Sequence, residues 1–171
     1  YVALRHTAWH LLETAKSYNE GSLLNLQAAA VFYAFAFEAY LNHVGAEEIA
    51  FWEEIDRISY KKKLTVIAKQ LKLSIDYGKQ PFKVIKELFE LRNALAHGRT
   101  RIIDHTFETD SPPEKDFYWR IHEWEKLTIK KVDSYATCIT QAVETINTRR
   151  SKPDEFLWNE GGRGRGVQVI K

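Results

Sequence analysis

The hydrophobic positions along this chain recur mostly with the period of a helix. From about Ala3 to Tyr18, Leu4, Trp9, Leu11, Leu12 and Ala15 share that spacing, and Asn19-Glu20-Gly21 stops it. Ser22 suits an N-cap, so a second helix is expected to run from there to about Val44, closed by Gly45. That segment is apolar nearly all round, through Leu24, Ala28, Val31, Phe32, Phe35, Phe37 and Leu41. A helix of this kind is either the centre of a fold or half of a subunit interface. An acidic, aromatic stretch, Glu47 to Ile58, leads to a third helix predicted from about Tyr60 to Leu73. Leu64, Ile67, Ala68 and Leu71 form its apolar stripe, and Lys61, Lys62, Lys63, Lys69 and Lys72 are expected to cover the solvent side. Pro81 suits the first position of a fourth helix, which carries Ile85, Leu88 and Leu95 inward and stops at Gly98.

Beyond Gly98 the pattern changes. Thr100 to His105 and Phe117 to Ile121 are β-branched and aromatic, and read as two short strands with Ser111-Pro112-Pro113 in the turn region. Thr128 is the expected cap of a last helix running to about Arg150, with Ile129, Val132, Ala136, Ile139, Val143 and Ile146 on one side. From Ser151 the chain reads as irregular. Gly161-Gly162-Arg163-Gly164-Arg165-Gly166 resembles a short Arg-Gly tract, more simply read as a surface tail. The prediction is an all-α bundle of four to five main helices with a short hairpin-like insertion before the last. Residues 1–150 form one domain with the insertion at 99–124, and 151–171 form a tail.

A length of 171 residues suits one domain, and 44% hydrophobic with 28% charged residues is the balance of a soluble globular protein. Cys138 is the sole cysteine, which excludes an intrachain disulfide and a thiolate-built zinc site. Its place among Ala136, Ile139 and Ala142 predicts a buried thiol and a reducing compartment, the cytoplasm. The longest apolar run, Ala28 to Phe37, is too short for a bilayer and is interrupted by Glu38, so no membrane span or signal peptide is expected. The chain begins at Tyr1 and lacks methionine, so residues are expected before it.

The net charge of +2 conceals an asymmetry. Tyr1 to Asp56 holds two basic and eight acidic residues, a net of −6; Arg57 to Arg101 holds twelve and three, a net of +9; the remainder carries −1. A concentrated basic block in a near-neutral chain points to a polyanion.

Candidate chemistry lies at the end of that block, in Arg92-Asn93-Ala94-Leu95-Ala96-His97-Gly98. A histidine moves a proton near neutral pH, and an arginine holds a phosphate and opposes the charge that grows on it. The spacing alone is unspecific, since Arg5 and His10 share it in an acidic helix beside Trp9. Arg92, however, falls in register with Ile85 and Leu88, so it is expected to point toward protein. Asn93 stands one helical turn before His97 and is placed to orient the imidazole. Glu38 is the only acidic or basic side chain, histidines aside, between Leu23 and Ala46, and Arg92 is its expected partner. Five residues turn a helix by about 140°, so Arg92 and His97 do not share a face; two copies across a twofold axis can pool both. The histidines show no mutual spacing that suggests a metal site, and neither metal nor cofactor is expected.

Together these residues resemble the HEPN superfamily. Arg92-Asn93-x3-His97-Gly98 resembles its signature, Phe35-Ala36-Phe37-Glu38-Ala39-Tyr40-Leu41-Asn42 its second helix, and Leu127 to Tyr135 the start of its last helix. The resemblance covers about Trp9 to Ile146. It implies a helical bundle that forms a homodimer with a composite active site, and metal-independent cleavage of RNA leaving a 2′,3′-cyclic phosphate and a 5′-hydroxyl. It implies roles in toxin–antitoxin modules, phage defence or RNA processing, with an antitoxin protein as a further partner. His97 and Arg92 would be the catalytic pair, with Asn93 and Glu38 fixing the geometry. Lys61, Lys62, Lys63, Lys69, Lys72, Arg99 and Arg101 would attract the RNA backbone. Arg99 stands where many such toxins carry a modifiable tyrosine, so silencing by that route is not expected. Some members of the superfamily do not cleave, so a dimer that binds nucleotide, RNA or protein is the alternative. A third alternative is a scaffold whose apolar second helix mates with another protein.

Overall fold

The computed structural model describes residues 1–97 and 127–154. They form six helices: α1 (Val2–Ser17), α2 (Ser22–Glu48), α3 (Trp52–Ile55), α4 (Tyr60–Gln70), α5 (Phe82–Ala96) and α6 (Ile129–Asn147). The described chain is therefore all-α. The two expected strands, the insertion at 99–124 and most of the tail lie outside the described residues.

α2 is the axis of the bundle, touched by α1, α3, α4, α5 and α6; α6 also packs against α5 and α1. Eleven α2 residues are buried, among them Tyr33, Phe37, Tyr40, Leu41 and Val44, which explains why its sequence is apolar around most of its circumference. This 27-residue helix is long and apolar enough to cross a membrane by length and composition alone, and outruns the ten-residue apolar run seen in the sequence; 39% of its most apolar window is buried within the bundle. One stripe stays uncovered. Leu24 is 68% exposed and Phe35 41%, with Ala28, Val31 and Phe32 partly exposed between them.

Both ends of α2 differ from expectation. Its N-cap is Gly21, at φ 69°, and Ser22 is already helical; the left-handed backbone there favours a residue without Cβ. Gly45 does not end the helix, which continues to Glu48. A Cβ on Gly45 would lie 2.2 Å from the Trp52 ring, so this glycine lets a buried indole lie against the helix backbone.

α4 buries Tyr60, Lys63, Leu64, Ile67 and Ala68 on one face. Within α5, Ile85, Leu88 and Phe89 are fully buried. Thr128 caps α6, its hydroxyl accepting from the Lys131 N–H at 3.2 Å. Cys138 is buried, and burial pushes its thiol upward, as suits a packing residue.

Candidate functional site

The register Ile85, Leu88, Arg92 carries Arg92 from the core face of α5 to its edge. There the guanidinium sits between Phe35 of α2 and Phe89 of its own helix, 5.9 and 5.2 Å from the ring centres. The Tyr60 ring stacks on Phe89, 3.6 Å from it and nearly parallel. Aromatic faces attract a cation and fix the guanidinium plane.

Glu38 of α2 meets Arg92 here. Arg92 Nη2 donates to Glu38 Oε2 at 2.9 Å, while Lys63 Nζ donates to Oε1 at 3.1 Å. The carboxylate thus divides itself between two cations, one on α5 and one on α4. The amphipathic pattern predicts Lys63 on the solvent side of α4; instead it is 4% exposed. The register explains why, since Tyr60, Lys63, Leu64 and Ile67 lie at one face of the helix and only a carboxylate partner makes a buried lysine tolerable there. Arg92 and Glu38 side chains remain 20% and 25% exposed, so the group opens at one edge. Arg92 Nε is buried with no hydrogen-bond partner among the described residues.

His97 stands at the C-terminal cap of α5 and is exposed, as is Asn93. Their hydrogen bond runs through the main chain, from the His97 N–H to the Asn93 carbonyl at 2.9 Å. The bond expected between the amide and the imidazole is absent among the described residues, so Asn93 does not orient the ring in this chain on its own. Lys61, Lys62, Lys69 and Lys72 are exposed. Arg99 and Arg101 lie outside the described residues.

A second ionic group, which the helical periodicity does not predict, lies at the far end of α2. Arg150, just past α6, has a fully buried side chain among Glu47, Glu48 and Asp154. It donates to Asp154 at 2.6 Å and also bonds Glu47. Asn147 joins in, its side chain bridging to the Asp154 backbone at 2.9 and 3.2 Å. The Tyr1 hydroxyl donates to Asp154 at 3.1 Å, and His43 lies 3.4 Å from the same carboxylate. Burial pushes the Asp154 carboxyl up, but hydrogen bonding and charge from Arg150, aided by His43, outweigh it and hold it below the usual range. Burial, with Asp154 beside it, pushes the Tyr1 hydroxyl up to about 12. The ligand atoms of His43, Glu47 and Asp154 fall within 4.8 Å of one another, close enough to hold a metal ion. Arg150 already brings a cation to two of the three, so the group reads as a clasp pinning residues 150–154 to α2. Glu47 and Glu48 stand too far along the chain from Arg150 for the helical repeat to pair them.

Family models, curated proteins and solved structures give no match to this chain.

Proposed function

We propose that the chain is a metal-independent endoribonuclease of HEPN type, acting as a homodimer. The observation that carries this reading is the held guanidinium: Arg92 is fixed by Glu38 and two phenyl rings, at an open edge, about one and a half helical turns before an exposed His97. In the proposed reaction His97 takes the proton of a ribose 2′-hydroxyl, whose oxygen bonds to the adjacent phosphorus. The bond from phosphorus to the 5′-oxygen breaks, and that oxygen leaves with a proton from imidazolium, of the same His97 or of the second copy. Arg92 opposes the charge that gathers on the phosphoryl oxygens. The products are a 2′,3′-cyclic phosphate and a 5′-hydroxyl.

The uncovered stripe of α2 supports the dimer. It runs from Leu24 to Phe35 and reaches the Arg92 guanidinium, so pairing along it would place two arginines near one cleft. The exposed Lys61, Lys62, Lys69 and Lys72, with Arg99 and Arg101, would draw RNA toward it. A cytoplasmic toxin or phage-defence role, with an antitoxin as partner, follows from the family resemblance.

One observation favours the second reading, a non-catalytic binding dimer: no side chain among the described residues orients His97. Purified protein incubated with total RNA in EDTA separates the two. Fragments ending in cyclic phosphate are expected, and His97→Ala is expected to lower cleavage by about a thousandfold or more with the dimer intact. Retained RNA without fragments would favour the binding module, and full activity in His97→Ala would remove that residue from the mechanism.

A further inference from the structure

We propose that Lys63 is a positioning residue which makes Arg92 a receptor for a phosphate-class anion. The inference deepens the nuclease reading and rests on it for the identity of the anion as an RNA phosphate; anion binding itself requires no cleavage.

An arginine and a carboxylate left to themselves favour two parallel hydrogen bonds, which occupy one full edge of the guanidinium. Here Lys63 takes Glu38 Oε1 at 3.1 Å, and Arg92 reaches only Oε2, through Nη2 at 2.9 Å. Glu38 therefore anchors Arg92 with one bond. The other donors have no hydrogen bond to a described residue; Nε is buried, which leaves the terminal amino groups to meet an incoming phosphoryl oxygen. The charges agree with the geometry. Glu38 and Arg92 alone cancel; with Lys63 the group carries one net positive charge at an edge where Arg92 is one-fifth exposed. Lys63 itself is 4% exposed, too deep to meet a polymer directly, so it acts through Glu38 and through its field. At an effective dielectric near 20, one unit charge within about 10 Å of a bound anion changes its affinity by roughly tenfold. Phe35 and Phe89 keep the guanidinium from swinging to follow Glu38.

The test is a titration of the full chain with inorganic phosphate, followed by the ¹⁵N–¹H resonances of the Arg92 guanidinium, assigned by their loss in Arg92→Lys, with chloride at matched ionic strength as control. Wild type is expected to show saturable shifts at Arg92. Lys63→Met is expected to weaken phosphate binding about tenfold with a modest fall in melting temperature, since Glu38 keeps Arg92, and Lys63→Arg to restore binding to within about threefold. No saturable shift in wild type, or equal affinity in Lys63→Met, overturns the proposal. Should Lys63→Met fail to fold, wild type still decides: hindered rotation of one terminal amino group of Arg92 supports a single bond to Glu38, whereas Nε and an amino group both bonded to the carboxylate would overturn it. Cleavage of RNA is assayed on the same samples. Phosphate binding that depends on Lys63 without any cleavage supports the proposal and sinks the nuclease reading alone.

Discussion

Two ionic clusters sit on α2, built to opposite plans. Toward the middle of the helix, one carboxylate, Glu38, is shared by two cations, and the group is open at one edge. At the C-terminal end, one cation, Arg150, is shared by Glu47, Glu48 and Asp154, and its side chain is fully enclosed. Each guanidinium has a buried Nε without a hydrogen bond, but the first group has spare positive charge at an open edge, while the second has its cation surrounded by carboxylates. Excess charge and access decide what a cluster is for. The Arg150 group can hold the chain together but offers little to an anion, whereas the Arg92 group gives up stability and keeps a guanidinium ready for a ligand.

The contrast is measurable. Arg150→Met should cost about 3–5 kcal/mol, because three carboxylates lose a buried partner. Arg92→Met should cost only about 1 kcal/mol, because Glu38 keeps Lys63. Urea unfolding of both variants checks this, and equal losses would break the comparison. Gly45→Ala probes the clasp from the other side. The added methyl displaces Trp52 and disturbs the turn of helix carrying Glu47 and Glu48, at about 1–3 kcal/mol by thermal unfolding. A loss below about 0.5 kcal/mol would mean that the indole moves freely.

The smallest expected effect is acid sensitivity. Asp154 has a folded carboxyl held below its usual range, so across that window the unfolded chain binds more protons than the folded one. Its contribution is fully present above the ordinary carboxylate pKa, near 3.8, and is lost as pH falls through the depressed folded value. Asp154→Asn should be less stable at neutral pH and show a flatter decline of stability in acid. A decline as steep as wild type would assign acid sensitivity to other carboxylates.

Much of the Arg92 site is legible in the order of residues alone. A lone carboxylate in an apolar stretch needs a cation, and Arg92 is the candidate whose register faces the protein; the pair forms at 2.9 Å. Lys63 defies its pattern because a lysine in an amphipathic helix is usually solvated, although its spacing from Tyr60 and Ile67 already puts it on the buried face. Gly45 looks like a helix stop, since nothing local distinguishes a terminal glycine from one that makes room for a ring. The Arg150 clasp escapes any local reading because its partners Glu47 and Arg150 stand 103 residues apart.

What the amino-acid order determined by itself was local and periodic: the five longer helices, the apolar α2, the capping Thr128, and a basic block ending in Arg92 and His97. Those features follow from backbone hydrogen bonding and the helical repeat, which act within a few residues. Which charges meet, how a carboxylate is divided, and which group is left with excess positive charge were decided only when α2, α4, α5 and α6 packed. Ion pairing depends on distance and solvent exclusion, and both are properties of the assembled bundle.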